Sequence, residues 1–148
     1  MRRHKDFWQI TEDSLDKSMK AYKIDSSMRN ELLDLYKILL PFKEVPEVLK
    51  SLQEKNYKLA ILSNGTPALL NQLVKSNNLD NLFDDLFSIE EVSIYKPDSK
   101  VYDMPIKKYQ IQKNEIVFLS AILGMFQVVE IMDIIPYGWI GEIIFLII

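Results

Sequence analysis

From Phe7 to Tyr22 the apolar residues Phe7, Ile10, Leu15, Met19 and Tyr22 recur at roughly helical spacing among charged neighbours, which predicts an amphipathic helix. A second helix is predicted from about Ser26 to Leu40, with Asp25 or Ser26 as its N-cap and Met28, Leu32, Leu35 and Leu39 as its buried stripe. The two are expected to pair as a hairpin with Trp8 packed between them. Pro41 closes that hairpin, and Pro46 opens a third helix, Glu47 to Lys55, at a position where its missing N–H costs nothing.

After Asn56 the period changes. Tyr57 to Leu62 is a short apolar run bounded by turn residues, which suits a strand buried on both faces, and it ends in Ser63-Asn64-Gly65. Thr66-Pro67 reads as a cap followed by proline at the first helical position, starting a helix to about Ser76. Leu86 to Ile89 is a short strand, Asp98 caps a helix to about Tyr109, and Ile116 to Leu119 is the next buried strand. Strand, helix, strand, helix, strand predicts an open parallel α/β sheet with right-handed crossovers and helices on both faces, preceded by an all-helical piece.

Composition narrows the function classes. A chain of 148 residues, 48% apolar and 26% charged, has enough apolar surface for one core. A net charge of -3 argues against nucleic acid as a partner, and the absence of cysteine removes disulfides and thiolate metal sites. The basic start is followed by Asp6 and Gln9 instead of an apolar stretch, so no signal peptide is expected and the cytoplasm is the expected compartment. His4, the lone histidine, lies in that basic start and is not expected to act as a base or ligand.

Three polar groups fall where an open parallel sheet binds ligands, beyond the carboxyl ends of its strands. Ser63-Asn64-Gly65 follows the first strand, Lys96-Pro97-Asp98 leads into a helix, and Ser120 follows the last strand. A hydroxyl and free N–H groups beside a lysine would cradle an oxyanion or a carboxylate. Each group also has a plainer reading: Asn-Gly as an ordinary turn, Lys96 as a solvated charge, Asp98 as a cap and Tyr102 as core.

Together these residues carry a resemblance. The segments KDFWQITEDSLD, LAILSNGTPALLNQLVKSNNLDNLFDDLFSIEEVSIYKPDSKVYD and EIVFLSA resemble the haloacid dehalogenase superfamily, and within it the (S)-2-haloacid dehalogenases, over roughly residues 4 to 121. The resemblance implies a Rossmann-like core with an inserted helical cap: a partial cap over 1–42, an α/β core over 43–121 and a non-homologous apolar tail over 122–148. It implies hydrolysis of a small 2-haloacid through an aspartyl ester, without metal or other cofactor. Ser63 and Asn64 would bind the substrate carboxylate, Lys96 would pair with the nucleophilic aspartate, Tyr102 would assist and Ser120 would line the site. The strand bearing that aspartate would precede the part of the cap where this chain begins, so the chain alone is expected to be inactive.

The tail departs from that pattern. All 18 Lys and Arg precede Ile122, and nine of the last 27 residues are Ile. Its longest uncharged run, Ile116 to Val129, is shorter than the roughly 20 residues of a spanning helix, so no membrane span is expected. Read from the third base of the Ala121 codon, codons compatible with the tail permit Asn-Xaa-Trp-Asp-Val-Ser-Gly-Gly, the continuation that the family pattern expects. A shifted reading frame therefore accounts for the isoleucine. A phosphatase of the same superfamily and a non-catalytic module pairing with an upstream-encoded fragment are the alternatives, and a homodimer or that fragment are the protein partners left open.

Overall fold

A computed structural model of the chain describes residues 5–119, 135–136 and 145–147. Helix α1 spans Phe7–Tyr22, as its periodicity predicts, and Asp6 caps it by accepting from the Gln9 N–H at 2.8 Å. Asp25 accepts from the Ser27 N–H and starts a 3-10 turn, Ser26–Met28, that runs into α2, Arg29–Leu35. Arg29 bridges to Asp16 across the hairpin at 2.5 Å, and Trp8 meets Tyr36 edge to face at 6.3 Å.

The second helix differs from expectation in two ways. It stops at Leu35 rather than Leu40, and Leu33 is its buried residue while Met28, Leu35 and Leu39 are exposed. The helix ends four residues before Leu39, so the 3.6-residue spacing no longer governs that position.

Helix α3, Val45–Glu54, carries Pro46 in its first turn and leads to strand β1, Leu59–Ser63. Helix α4, Pro67–Ser76, has the predicted bounds, with Thr66 Oγ1 accepting from the Leu69 N–H at 3.3 Å. Strand β2, Asp85–Ser88, helix α5, Ser99–Tyr109, and strand β3, Val117–Leu119, complete the predicted alternation. Asp98 caps α5 by accepting from the Lys100 N–H at 2.9 Å.

β1 divides two cores by simple alternation. Leu59 and Ile61 pack with Val45, Leu49, Leu70 and Val74 from α3 and α4, whereas Ala60 and Leu62 pack with Phe87, Val101, Tyr102 and Phe118 on the α5 side. This is the near-continuous apolar strand of a sheet covered on both faces. Tyr95 Oη donates to the Lys5 carbonyl at 2.7 Å and Asn77 Nδ2 to the Leu39 carbonyl at 2.9 Å, tying the helical piece to the α/β layers.

The sheet order is β2-β1-β5-β3-β4, with β4 at Ile135–Pro136 and β5 at Phe145–Ile147. β1 and β2 are parallel, pairing Ala60 with Asp85 through Ser63 with Ser88. β5 runs antiparallel to both β1 and β3. The tail thus supplies two strands, one of them in the middle of the sheet, and the otherwise parallel sheet becomes mixed.

Candidate active site

The site is assembled at the carboxyl end of β1. The chain turns there through Ser63-Asn64-Gly65 into α4, and Ser63 Oγ accepts from the Gly65 N–H at 3.0 Å. Gly65 is closely held: a Cβ would lie 3.2 Å from Leu70 Cδ2 and 3.3 Å from Ser63 Oγ, tighter than ordinary packing. Ser88, buried at the end of β2, donates from Oγ to the Gly65 carbonyl at 2.7 Å and accepts from the Glu90 N–H at 3.2 Å. Two adjacent strand ends thereby fix one turn.

Lys96 enters from the loop before α5, preceding a cis peptide bond to Pro97. Its N–H reaches Asn64 Oδ1 at 3.5 Å, and its Nζ donates to the Leu62 carbonyl oxygen at 3.1 Å. Burial strips water from the ammonium and pushes its pKa down from 10.5 to about 7. Among the described residues no carboxylate lies within 4 Å of that Nζ.

Three predicted residues, Ser63, Asn64 and Lys96, are therefore brought together, and the solvated-charge reading of Lys96 fails. Tyr102 sits on α5, 1% exposed, with its ring edge to face with Phe118 at 5.4 Å, and burial raises its hydroxyl to about 12. It is buried in the cluster that holds Val101 and Phe118. Ser120 lies outside the described residues. Sequence reading missed Ser88, whose only signal is a small polar residue ending an apolar strand, and missed the Leu62 carbonyl, which backbone geometry alone reveals.

The arrangement offers a desolvated lysine, hydroxyls and the N-terminal end of α4 along one edge. Such a set holds an anion and keeps a neighbouring carboxylate ionised.

Comparison with known proteins gives a concordant picture. The profile of the haloacid dehalogenase-like hydrolase family matches residues 3–120. An (S)-2-haloacid dehalogenase of Pseudomonas sp. (strain YL) is 37% identical over 123 residues, covering 82% of this chain and 53% of the relative. The (S)-2-haloacid dehalogenase 4A of Burkholderia cepacia is 31% identical over the same shares, 82% and 53%. The chain thus spans about half the length of the curated relatives it matches. The crystal structure of an L-2-haloacid dehalogenase superposes with a TM-score of 0.88 at 27% identity, over 95% of this chain and 62% of that one. The L-2-haloacid dehalogenase of Xanthobacter autotrophicus with chloropropionic acid covalently bound gives 0.82 at 25% identity, over 90% and 55%.

Proposed function

The chain belongs to the haloacid dehalogenase-like hydrolases, and from that membership we propose that its site derives from hydrolytic dehalogenation of 2-haloacids and that this chain alone does not turn over. The observation that carries the dehalogenase reading is Lys96 Nζ, 3.1 Å from the Leu62 carbonyl beside Ser63 and Asn64. In such a reaction a carboxylate oxygen bonds to the α-carbon as the carbon–halogen bond breaks and halide leaves with its electron pair. Water then adds to the ester carbonyl, releasing the 2-hydroxy acid, a proton and the regenerated carboxylate.

In that scheme Ser63 and Asn64 hold the substrate carboxylate, Lys96 pairs with the attacking one, and Tyr102 and Ser120 complete the pocket. Lys96 and the hydroxyls are equally suited to phosphoryl transfer, but the relatives found are dehalogenases, which favours the haloacid reading. A cysteine-free chain suits a reducing compartment, and we place the protein in the cytoplasm.

The test is halide release from (S)-2-chloropropionate by the purified chain, followed beside Lys96→Ala. No release above the uncatalysed rate is expected from either. Turnover by the unsubstituted chain that disappears in Lys96→Ala overturns the inactivity.

A further inference from the structure

We propose that Lys96 is a nucleophile in its own right: its side-chain amine forms a reversible imine with the carbonyl carbon of a small 2-oxo acid, whose carboxylate is held by Ser63 and Asn64. The reaction is distinct from dehalogenation and rests on that reading only for the carboxylate-holding role of those two residues.

The partners of the lysines single this one out. Lys5, Lys37, Lys58 and Lys108 each meet an aspartate. Lys96 instead donates from Nζ to the Leu62 carbonyl oxygen at 3.1 Å, and among the described residues no carboxylate lies within 4 Å of it. A neutral amine makes such a bond with one N–H and keeps its lone pair. Burial acts in the same direction and lowers the Lys96 pKa to about 7. Near pH 8 most of it is free amine, against well under about 1% of an ordinary lysine. Desolvation is one of the ways in which proteins activate a lysine for Schiff-base chemistry. The side chain stays within reach, because Lys96, Ser63, Asn64 and Thr66 are half-buried rather than sealed in the core.

The neighbours define the electrophile. Ser63 Oγ accepts from the Gly65 N–H at 3.0 Å, which leaves its own O–H to donate. Asn64 Oδ1 accepts from the Lys96 N–H at 3.5 Å, which leaves its amide N–H groups to donate. Helix α4 begins just beyond, and its N-terminal end favours negative charge. These donors suit a carboxylate. Leu62, whose carbonyl holds Nζ, directly precedes Ser63, so the carbon that meets the amine has to sit close to that carboxylate. A 2-oxo acid has the two groups on adjacent carbons.

In the reaction the Nζ lone pair bonds to the carbonyl carbon as the C=O π pair moves onto oxygen, and a proton passes from nitrogen to that oxygen. The resulting carbinolamine loses its hydroxyl as water while the nitrogen pair forms the C=N bond. The protonated imine then carries its positive charge beside the ligand's own carboxylate. Water added back releases the amine and the 2-oxo acid, with no net oxidation or reduction.

The experiment incubates the full chain with pyruvate and sodium cyanoborohydride, which reduces an imine to a stable secondary amine, and locates the labelled lysine by peptide mass spectrometry. Methyl pyruvate, with the same carbonyl but no charge, is run beside it, and pyruvate labelling is repeated on Ser63→Ala and on the chain in urea. Lys96 is expected to carry at least tenfold more pyruvate adduct than any other lysine. That preference is expected to fall several-fold with methyl pyruvate and in Ser63→Ala, and to vanish in urea. Label absent from Lys96, or spread evenly over the lysines of the folded chain, overturns the proposal, and that outcome needs no variant to fold. A preference equally strong with methyl pyruvate, or undiminished in folded Ser63→Ala, overturns the 2-oxo acid as the ligand. Halide release enters none of these readouts, so the failure of this reaction is distinguishable from the failure of the dehalogenase reading.

Discussion

Ser88 Oγ donates to the Gly65 carbonyl oxygen at 2.7 Å, from a strand end that is paired through its own backbone with Ser63. One buried hydroxyl thus sets the position of the turn that carries Ser63 and Asn64. Ser88→Ala leaves that carbonyl without its partner inside the core, where an unsatisfied group costs about 1–3 kcal/mol. Urea unfolding should show a loss in that range.

Gly65→Ala is expected to be a comparably damaging change at the same turn. The added methyl meets Leu70 Cδ2 and Ser63 Oγ, so either the core leucine or the Ser63 hydroxyl must move. Overpacking of this sort costs typically about 1–3 kcal/mol. A midpoint in urea equal to that of the unsubstituted chain would show that the turn has room to give.

Stability should rise with pH above neutrality through Lys96. Its folded pKa, about 7, lies below the ordinary 10.5 because burial disfavours the charged form. Below about 7 both states carry the proton and the folded state bears the full cost of desolvating it. Between about 7 and 10.5 the unfolded chain binds more protons than the folded one, so stability climbs. The difference in unfolding free energy between the unsubstituted chain and Lys96→Met should vary over pH 6.5 to 9.5; a flat difference sinks the assignment.

Asp84 ties the start of β1 to the loop before β2. Its Oδ2 accepts from the Leu59 N–H at 2.9 Å and its Oδ1 from Lys58 Nζ at 2.7 Å. Partial burial works to raise its pKa, but these bonds prevail and lower it. The stability it contributes is present above the ordinary carboxylate pKa of 3.8 and is lost as pH falls through the depressed folded value. Asp84→Ala should cost about 1–3 kcal/mol at pH 7. Lys58→Ala, which removes a largely exposed cation, should cost much less than Asp84→Ala.

Tyr102 and Phe118 join α5 to β3 through an edge-to-face contact at 5.4 Å. Tyr102→Ala should lose about 3–5 kcal/mol, the range for emptying a buried aromatic site. Tyr102→Phe keeps the ring and should lose less than Tyr102→Ala in thermal or urea unfolding.

Helix ends were legible wherever a side chain caps them: Thr66-Pro67 and Asp98 each specify a local hydrogen bond, and α4 and α5 begin where those residues stand. The hairpin was less legible: α2 ends at Leu35, short of the stripe's last residue, and Leu33 rather than Leu35 is buried. Ser63, Asn64 and Lys96 could be grouped because strand ends of a parallel sheet converge. The contact of Lys96 with a main-chain carbonyl could not be foreseen, since no side-chain pattern encodes it. β5 was wholly invisible: an isoleucine-rich stretch has no alternation to mark a face, and which strands it joins depends on partners distant in sequence.

That distance has a consequence during synthesis. β1 leaves the ribosome long before Phe145–Ile147, the strand that covers its inner edge. While α4, β2, α5 and β3 are being translated, that edge stays open and apolar on both faces. The nascent chain therefore passes through an interval in which chaperone capture and edge-to-edge aggregation compete with closure of the sheet, an interval set by translation speed rather than by the stability of the finished fold.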